Sequence, residues 1–309
     1  MNLRLYALLS ALLWLFALPC RAQQQARAIA ITIDDLPSTD NLPRNLSPAD
    51  VARNIIQALQ QAHVPTPYGF VNAQQADGST TDLAILKMWR EAGFPLGNHT
   101  YLHSDLNKED VAAFERDIAR DEPVLHSLSP DADWHWFRYP YLCKGDTAAK
   151  RDAIEQYLAA NGYREAHVTI NFDDWRWNNA YARCTNRHNQ TALAMLHSTY
   201  LAKAQAAIDR SQKQSQAFFG RQIPQVMLLH IGGIESLMLP QLLQLLKKDG
   251  YQFIPLAQAE DDPAYKAEPD HPLPGGATLL QEFDLDRGGS DSPHPDPDVL
   301  KVQNACRWW

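Results

Sequence analysis

Short apolar runs alternate with stretches of helical periodicity along most of this chain, and that alternation constrains its fold more than any other feature. "ARAIAITIDD" carries a β-branched run ending in two aspartates, the pattern of a buried strand whose C-terminal end is exposed. "SPADVARNIIQALQQA" follows, opening with Ser47, Pro48 and Asp50 as a helix start, and its Val51, Ile55 and Leu59 repeat every four residues. "YGFVN", "FPLGNH", "WHWFRYP", "YREAHVTI", "QVMLLHI" and "YQFIPL" read as further strands. Between them "TDLAILKMWREAG", "EDVAAFERDIARDEPVLHSL", "TAAKRDAIEQYLAANG" and "LPQLLQLLKKDG" read as helices. Strands alternating with helices build parallel βαβ units, and about seven of them point to an α/β barrel, with an open doubly wound sheet as the alternative.

Two regions break the rhythm. Residues 176–222 read as a polar, helix-rich insertion between two strands, and residues 261–309, rich in Pro, Asp and Gly, as an extended tail wrapped on the surface. The first 22 residues stand apart. Arg4 precedes an apolar run from Leu5 to Leu18, then "PCRA" and a polar "QQQ", the pattern of a secretory signal cleaved after Ala22. The run falls short of the ~20 apolar residues that span a bilayer, so it reads as a leader and not a transmembrane anchor. Pro19 before Cys20 fits lipoprotein attachment poorly. Residues 23–260 are then the body of an exported protein. With 45% hydrophobic and 21% charged residues it is ordinary globular material for one large core.

The net charge of −8 becomes more negative once Arg4 and Arg21 leave with the leader, which argues against nucleic acid and anionic membrane as partners. Cys143, Cys184 and Cys306 remain, and in an oxidising compartment two of them pair. Cys184–Cys306 is the preferred disulfide because it ties the tail to the body, with Cys143–Cys184 as the rival.

The stretch "GNHTYLHSDL" places His99 and His103 four residues apart. That spacing puts both rings on one helix face, where they are either ordinary hydrogen-bonded histidines or two ligands of one metal ion. On a βα barrel, active groups gather at the C-terminal ends of strands. Here Asp34 and Asp35 end the first strand, His99 and His103 follow the third, and Arg138 ends "WHWFR"; Asn171 and Asp174 follow "HVTI", and His230 ends "QVMLLH". Each has a plain structural reading: a capped turn for the aspartates, an ion-pair partner for Arg138, a core histidine for His230, core or lid packing for Trp175 and Trp177. Five such coincidences in register are hard to explain by structure alone.

Together these segments resemble the polysaccharide deacetylase family, carbohydrate esterase family 4 with its NodB-homology fold. The motifs occur in order: "TIDD" at 32–35, "HTYLH" at 99–103, "RYPY" at 138–141, "NFDDW" at 171–175 and "LLH" at 228–230. The resemblance covers roughly Ala28 to Leu256 and implies a distorted (β/α) barrel. It implies that Asp35, His99 and His103 hold one divalent cation, zinc in the first place, with cobalt or nickel as alternatives. Asp34 would be the general base toward metal-activated water, held ionised by Arg138, and His230 the general acid for the leaving amine. The Tyr141 backbone N–H would serve the oxyanion, and Trp175 and Leu228 would line the acetyl pocket. The implied activity is removal of N-acetyl groups from an amino-sugar polymer such as peptidoglycan or an exopolysaccharide.

One departure stands out. Asn171 occupies the position where the family's fourth motif usually has an aspartate that orients the acid histidine. A neutral partner implies a lower pKa for His230, unless a shifted loop brings in Asp173 or Asp174. The insertion at 176–222 also departs from the family's compact pattern, at an edge where it can shape the substrate groove. Two other functions stay open: the same site acting on acetyl esters or a small cyclic amide, and a catalytically dead glycan-binding protein, for which Asn171 is the one supporting feature.

Overall fold

In a computed structural model, residues 27–39, 41–130, 134–267, 269, 275–289 and 297–307 are described; the leader at 1–22 lies outside them. Seven parallel strands form one sheet: β1 (Arg27–Leu36), β2 (Tyr68–Val71), β3 (Leu96–Asn98), β4 (Trp136–Phe137), β5 (Arg164–Glu165), β6 (Gln225–His230) and β7 (Tyr251–Phe253). The order is β5-β4-β3-β2-β1-β6, with β7 on the start of β1. Just past β5 the chain bridges to β6 through Ile170 and Met227, so the sheet curls round on itself. The architecture is the distorted barrel expected from the alternation, not an open sheet.

The helices α1 (Pro48–Gln61), α2 (Thr80–Glu91), α3 (Val111–Leu128) and α4 (Ala148–Ala160) connect successive strands up to β5. α1 begins as its sequence dictates, with Ser47 and Asp50 forming a reciprocal capping box and Pro48 in the first turn. The cap contributes roughly 1 kcal/mol. Burying Val51, Ile55 and Leu59 contributes about 1.5–3 kcal/mol each, so packing decides that this helix holds.

Period-two alternation sorts the strands into two faces. On β1, Ile29, Ile31 and Ile33 join the core beneath the helices, while Ala30 packs with Phe70, Trp136 and Val226 in a second cluster. Thr32 and Asp34 share the parity of Ala30, and on β6 Leu228 and His230 share that of Val226. The register pairs Asp34 directly with His230. At Gly97 a Cβ would lie 2.7 Å from the Phe70 ring and 2.8 Å from the Trp136 carbonyl, so only glycine lets β3 pass here.

Between Asn171 and β6 lies the insertion, built of α5 (Asn178–Asn186) and the 30-residue α6 (Gln190–Phe219), which ends at Gly220 in the left-handed conformation. After β6 come α7 (Gly233–Lys248) and the short α8 (Leu256–Glu260). The tail differs from its expected extended form. It folds into α9 (Leu279–Asp286) and α10 (Pro297–Asn304), with Leu279, Leu280, Val299 and Val302 buried. Its apolar residues are few but helically spaced, and the body supplies the surface that covers them.

Cys184 on α5 is bonded to Cys306 just past α10, with Cα atoms 5.4 Å apart, and Cys143 is free and buried. The bond spans 122 residues of sequence and fixes the end of the chain against the insertion. Replacing both cysteines by serine should lower the free energy of unfolding by about 2–4 kcal/mol. The check is the urea midpoint of the double variant against the oxidised parent.

Candidate active site at the barrel mouth

Adjacent residues of a regular strand point to opposite faces. Asp34 is directed into the barrel by parity, so Asp35 should face away. Instead the β1–β2 register shifts between Ile33 and Leu36, and Asp35 adopts a left-handed φ of 66°. This bulge swings the second carboxylate to the same mouth as the first. Asp34 is buried and Asp35 one-third exposed.

His99 and His103 reach Asp35 from the loop after β3. They are not on a helix: Thr100 and His103 have φ of 61° and 57°, and a left-handed loop brings the two rings to a centroid distance of 4.8 Å. Asp35 Oδ1 lies 3.3 Å from His103 Nε2 and 3.6 Å from His99 Nε2, and the three ligand atoms fall within 4.8 Å of one another. His99 Nδ1 is 2.7 Å from the Arg138 carbonyl, which takes its N–H and leaves Nε2 as an electron-pair donor. Burial lowers the pKa of both histidines, His99 most, which favours their neutral forms. Asp35 Oδ1 is buried with no hydrogen-bond partner. An orphaned carboxylate oxygen facing two neutral imidazoles is the donor set for a divalent cation, and these residues fit one.

Asp34 is held from inside the barrel. Arg138, 1% exposed, places Nη1 3.3 Å from both Asp34 oxygens and donates to the Thr32 hydroxyl and the Ala166 carbonyl. Its guanidinium also lies over the Phe70 ring. Burial pushes the Asp34 pKa up to about 6, against the pull of Arg138 and His230.

The partner of His230 corrects the expectation built on Asn171. Asp174 Oδ1 lies 2.7 Å from His230 Nδ1, and its Oδ2 accepts the His230 backbone N–H at 2.8 Å. Asn171 Oδ1 instead accepts the backbone N–H of Asp173, whose φ is 58°. Asn171 thus closes an Asx turn that presents Asp174. Burial alone would lower His230, but the charge and hydrogen bond of Asp174, helped by Asp35 and Asp34, push it up to about 10. The lowered pKa expected from an uncharged partner does not arise.

Behind Asp174, the Tyr200 hydroxyl of α6 donates to Glu235 of α7. Burial and the nearby Asp174 charge raise Glu235 well above the carboxylate range, which favours its protonated form. Under the histidine loop, Asp117 accepts the Leu102 N–H with both oxygens, and Asp121 accepts that of Ala73. None of these was picked out from the sequence, yet α3 carried a signal. Its buried stripe of Phe114, Asp117, Ile118, Asp121 and Leu125 has two carboxylates at apolar positions.

Asp34, Asp35, His99, His103, Asn171, Asp174 and His230 line one cavity of about 570 Å³, where Tyr141, Trp175 and Leu228 also line the wall, while Arg138 lies outside its lining. Tyr141 has φ 57° and stacks edge-on against His103. Trp175 is half exposed under the Arg176 guanidinium, while Trp177 is core. Non-glycine residues in the left-handed region store strain, and Asp35, His103, Tyr141 and Asp173 concentrate it here.

A sequence model of the polysaccharide deacetylase family matches residues 21–166. The matched stretch carries the TIDD, HTYLH and RYPY segments, so this part of the chain is similar to that family. Among solved structures, the fold is similar to a mutant carbohydrate esterase family 4 pseudoenzyme with restored enzymatic activity (14% identity, TM-score 0.54, covering 77% of this chain and 69% of that one). The wild-type pseudoenzyme, from Bacillus anthracis, gives 14% identity and a TM-score of 0.53 over 77% and 66% of the two chains. A peptidoglycan N-acetylglucosamine deacetylase gives 18% and 0.50 over 76% and 89%. At such identities these likenesses show the fold alone.

The raised pKa of His230 should depend on Asp174. A histidine whose pKa rises on folding contributes stability that is full below its unfolded value of 6.5 and is lost as pH climbs through about 10. In Asp174→Asn burial is left unopposed by that charge, so the His230 pKa should fall to 6.5 or lower. An NMR titration of the His230 ring measures this directly; a pKa still near 10 would show that Asp174 is not its cause.

Proposed function

We propose that this protein is an exported, metal-dependent polysaccharide deacetylase that hydrolyses N-acetyl groups of an amino-sugar polymer such as peptidoglycan or an exopolysaccharide. The observation that carries the reading is the joint geometry of one cavity. Two neutral imidazoles and an orphaned carboxylate lie beside an arginine-held carboxylate and a histidine paired with Asp174. Among the described residues no helix is long and apolar enough to cross a membrane. The disulfide and the leader-like N-terminus support export into an oxidising compartment.

Asp35, His99 and His103 would hold the cation, zinc in the first place with cobalt or nickel as alternatives, which supplies Lewis acidity and lowers the pKa of water. Asp34, kept ionised and oriented by Arg138, takes the proton of the attacking water on a carboxylate oxygen. Negative charge then grows on the acetamide oxygen, and the Tyr141 backbone N–H on the cavity wall is the donor toward it. His230, doubly protonated with Nδ1–H on Asp174, gives its other proton to the departing amine. Trp175 and Leu228 bound the space for the acetyl methyl group. The protonated His230 favours amide over ester hydrolysis, because an amine leaves poorly without a proton while an alcohol leaves more readily.

The test uses the chain from Gln23, with bound metal measured by mass spectrometry and acetate release followed from N-acetylglucosamine oligomers and peptidoglycan. Asp35→Ala should lose both the metal and at least a thousandfold in rate, as removal of a ligand to the activating ion implies. Metal bound with no acetate from any glycan would move the reading to esters or a cyclic amide. Glycan bound with no metal would make the protein a dead binding module.

Tyr141 offers a sharper check. A Cβ on Gly276 would lie 1.7 Å from the Tyr141 carbonyl oxygen, so Gly276→Ala must displace the loop that carries the oxyanion donor. The expected result is a kcat lower by about ten- to a hundredfold, below the 10²–10³ for outright loss of a donor. Metal content should stay unchanged.

A further inference from the structure

A second group of ionisable side chains lies outside the catalytic cavity, beyond the turn that carries Tyr141. Glu282 Oε2 of α9 is 3.8 Å from Lys144 Nζ, which is 2.8 Å from Glu165 Oε1 at the end of β5. Glu165 Oε1 is 3.7 Å from His167 Nε2, and His167 Nδ1 is 2.9 Å from Glu260 Oε2 of α8. Acids and bases thus alternate through five side chains, none more than 16% exposed. Burial would lower the His167 pKa, but the charges of Glu165 and Glu260 push it up to about 10, which favours its protonated form. Such a buried chain adds little stability by itself, because desolvation offsets most of the attraction.

The parts that these charges join give the chain a use. Tyr139, Leu142 and Ala277 line both the catalytic cavity and the small cleft beside Lys144, Glu165, His167 and Glu282, so they form the wall between the two. Tyr141 and Leu142 have successive left-handed φ angles of 57° and 56°, which neither side chain favours and only surrounding structure can hold. Gly276 seats the tail directly on the Tyr141 carbonyl. Leu279 then donates its N–H to the Val168 carbonyl at 2.8 Å, and Glu282 meets Lys144, two residues past the turn. The tail is therefore fastened to the turn at two points, one steric and one ionic, and Glu165 fastens Lys144 to the sheet.

Resting on the deacetylase reading, we propose that Lys144 and Glu282 are positioning residues for the oxyanion: their contact clamps the tail on the Tyr139–Leu142 turn and fixes the direction of the Tyr141 N–H. Neither lines the catalytic cavity, so both act through the turn and not on the substrate or the metal. A group that acts only on charge developed in the transition state affects kcat and leaves KM alone.

The experiment uses the metal-loaded chain from Gln23 on N-acetylglucosamine oligomers, and reads kcat, KM, bound metal and the thermal midpoint of each variant. Glu282→Gln, which keeps the shape and removes the charge, should lower kcat about threefold, and Lys144→Met about tenfold, a part of the roughly 10²–10³ that loss of a whole donor costs. KM and metal content should not change. Lys144→Arg keeps the charge and should recover most of the rate. Val51→Ala, a core truncation on α1 away from the turn, shows what lost stability alone does and should keep the parent kcat. Should Lys144→Met fail to fold, Glu282→Gln decides alone, since there Lys144 keeps Glu165. An unchanged kcat in the folded variants, an equal fall in Val51→Ala, or a fall that follows lost metal would overturn the clamp while leaving deacetylation standing. No acetate from the parent on any glycan would instead remove the deacetylase reading, and the clamp with it.

Discussion

The bulge at the end of β1 is the constraint on which the site depends. Without it Asp34 and Asp35 would lie on opposite faces, one in the barrel and one under the helices. With it, two carboxylates share one mouth and must be kept apart in role. Arg138 does this from below by holding Asp34, and the two imidazoles do it from the side by facing Asp35. Burying so many charges is costly unless each has a partner. Asp35 Oδ1 has no hydrogen-bond partner among the described residues, and a cation there would complete the set.

The insertion and the tail then turn an open barrel end into a walled cavity. α6 contributes a stripe of the wall, Tyr200 to Glu235 and, through Glu235, the protonation state behind Asp174. The tail contributes Gly276, packed so tightly on Tyr141 that no side chain fits, and Val299 on α10. The Cys184–Cys306 bond joins these two additions to each other. Parts foreign to the alternating pattern are therefore tied directly to the chemistry.

How much of this could be read from the sequence follows from which forces set each feature. Strand parity is local and cheap to read, so Asp34, Arg138 and His230 could be placed at one barrel end, and the disulfide followed from the tail's need for an anchor. Left-handed backbone at Asp35, His103, Tyr141 and Asp173 could not, because none is glycine and only tertiary packing holds them there. That is why the histidine spacing reads as helical and why the sequence leaves open whether Asn171 or a shifted Asp173 or Asp174 faces His230. A single left-handed turn at Asp173 shifts the loop so that Asp174 arrives instead. The tail helices were hidden for a related reason: a Pro-rich segment with few apolar residues shows little periodicity until the body supplies the surface it covers.

The fold alone does not decide activity, since one of its neighbours is described as a pseudoenzyme. The decision rests on groups that stability by itself would not favour. Arg138 and Asp34 are 1% and 2% exposed, inside a barrel where Ala30, Phe70, Trp136 and Val226 form an apolar cluster. An apolar pair of similar volume would be as stable or more so, because desolvating two ions offsets most of their attraction. Asp117 and Asp121, polar groups at apolar positions in the buried stripe of α3, accept backbone N–H groups of the loops beside the histidines. A binding module that had lost its chemistry would gain by shedding these charges. Here Asp34 with Arg138, His230 with Asp174, and the cluster of Asp35, His99 and His103 remain together, the arrangement of separated charges that the proposed hydrolysis would use.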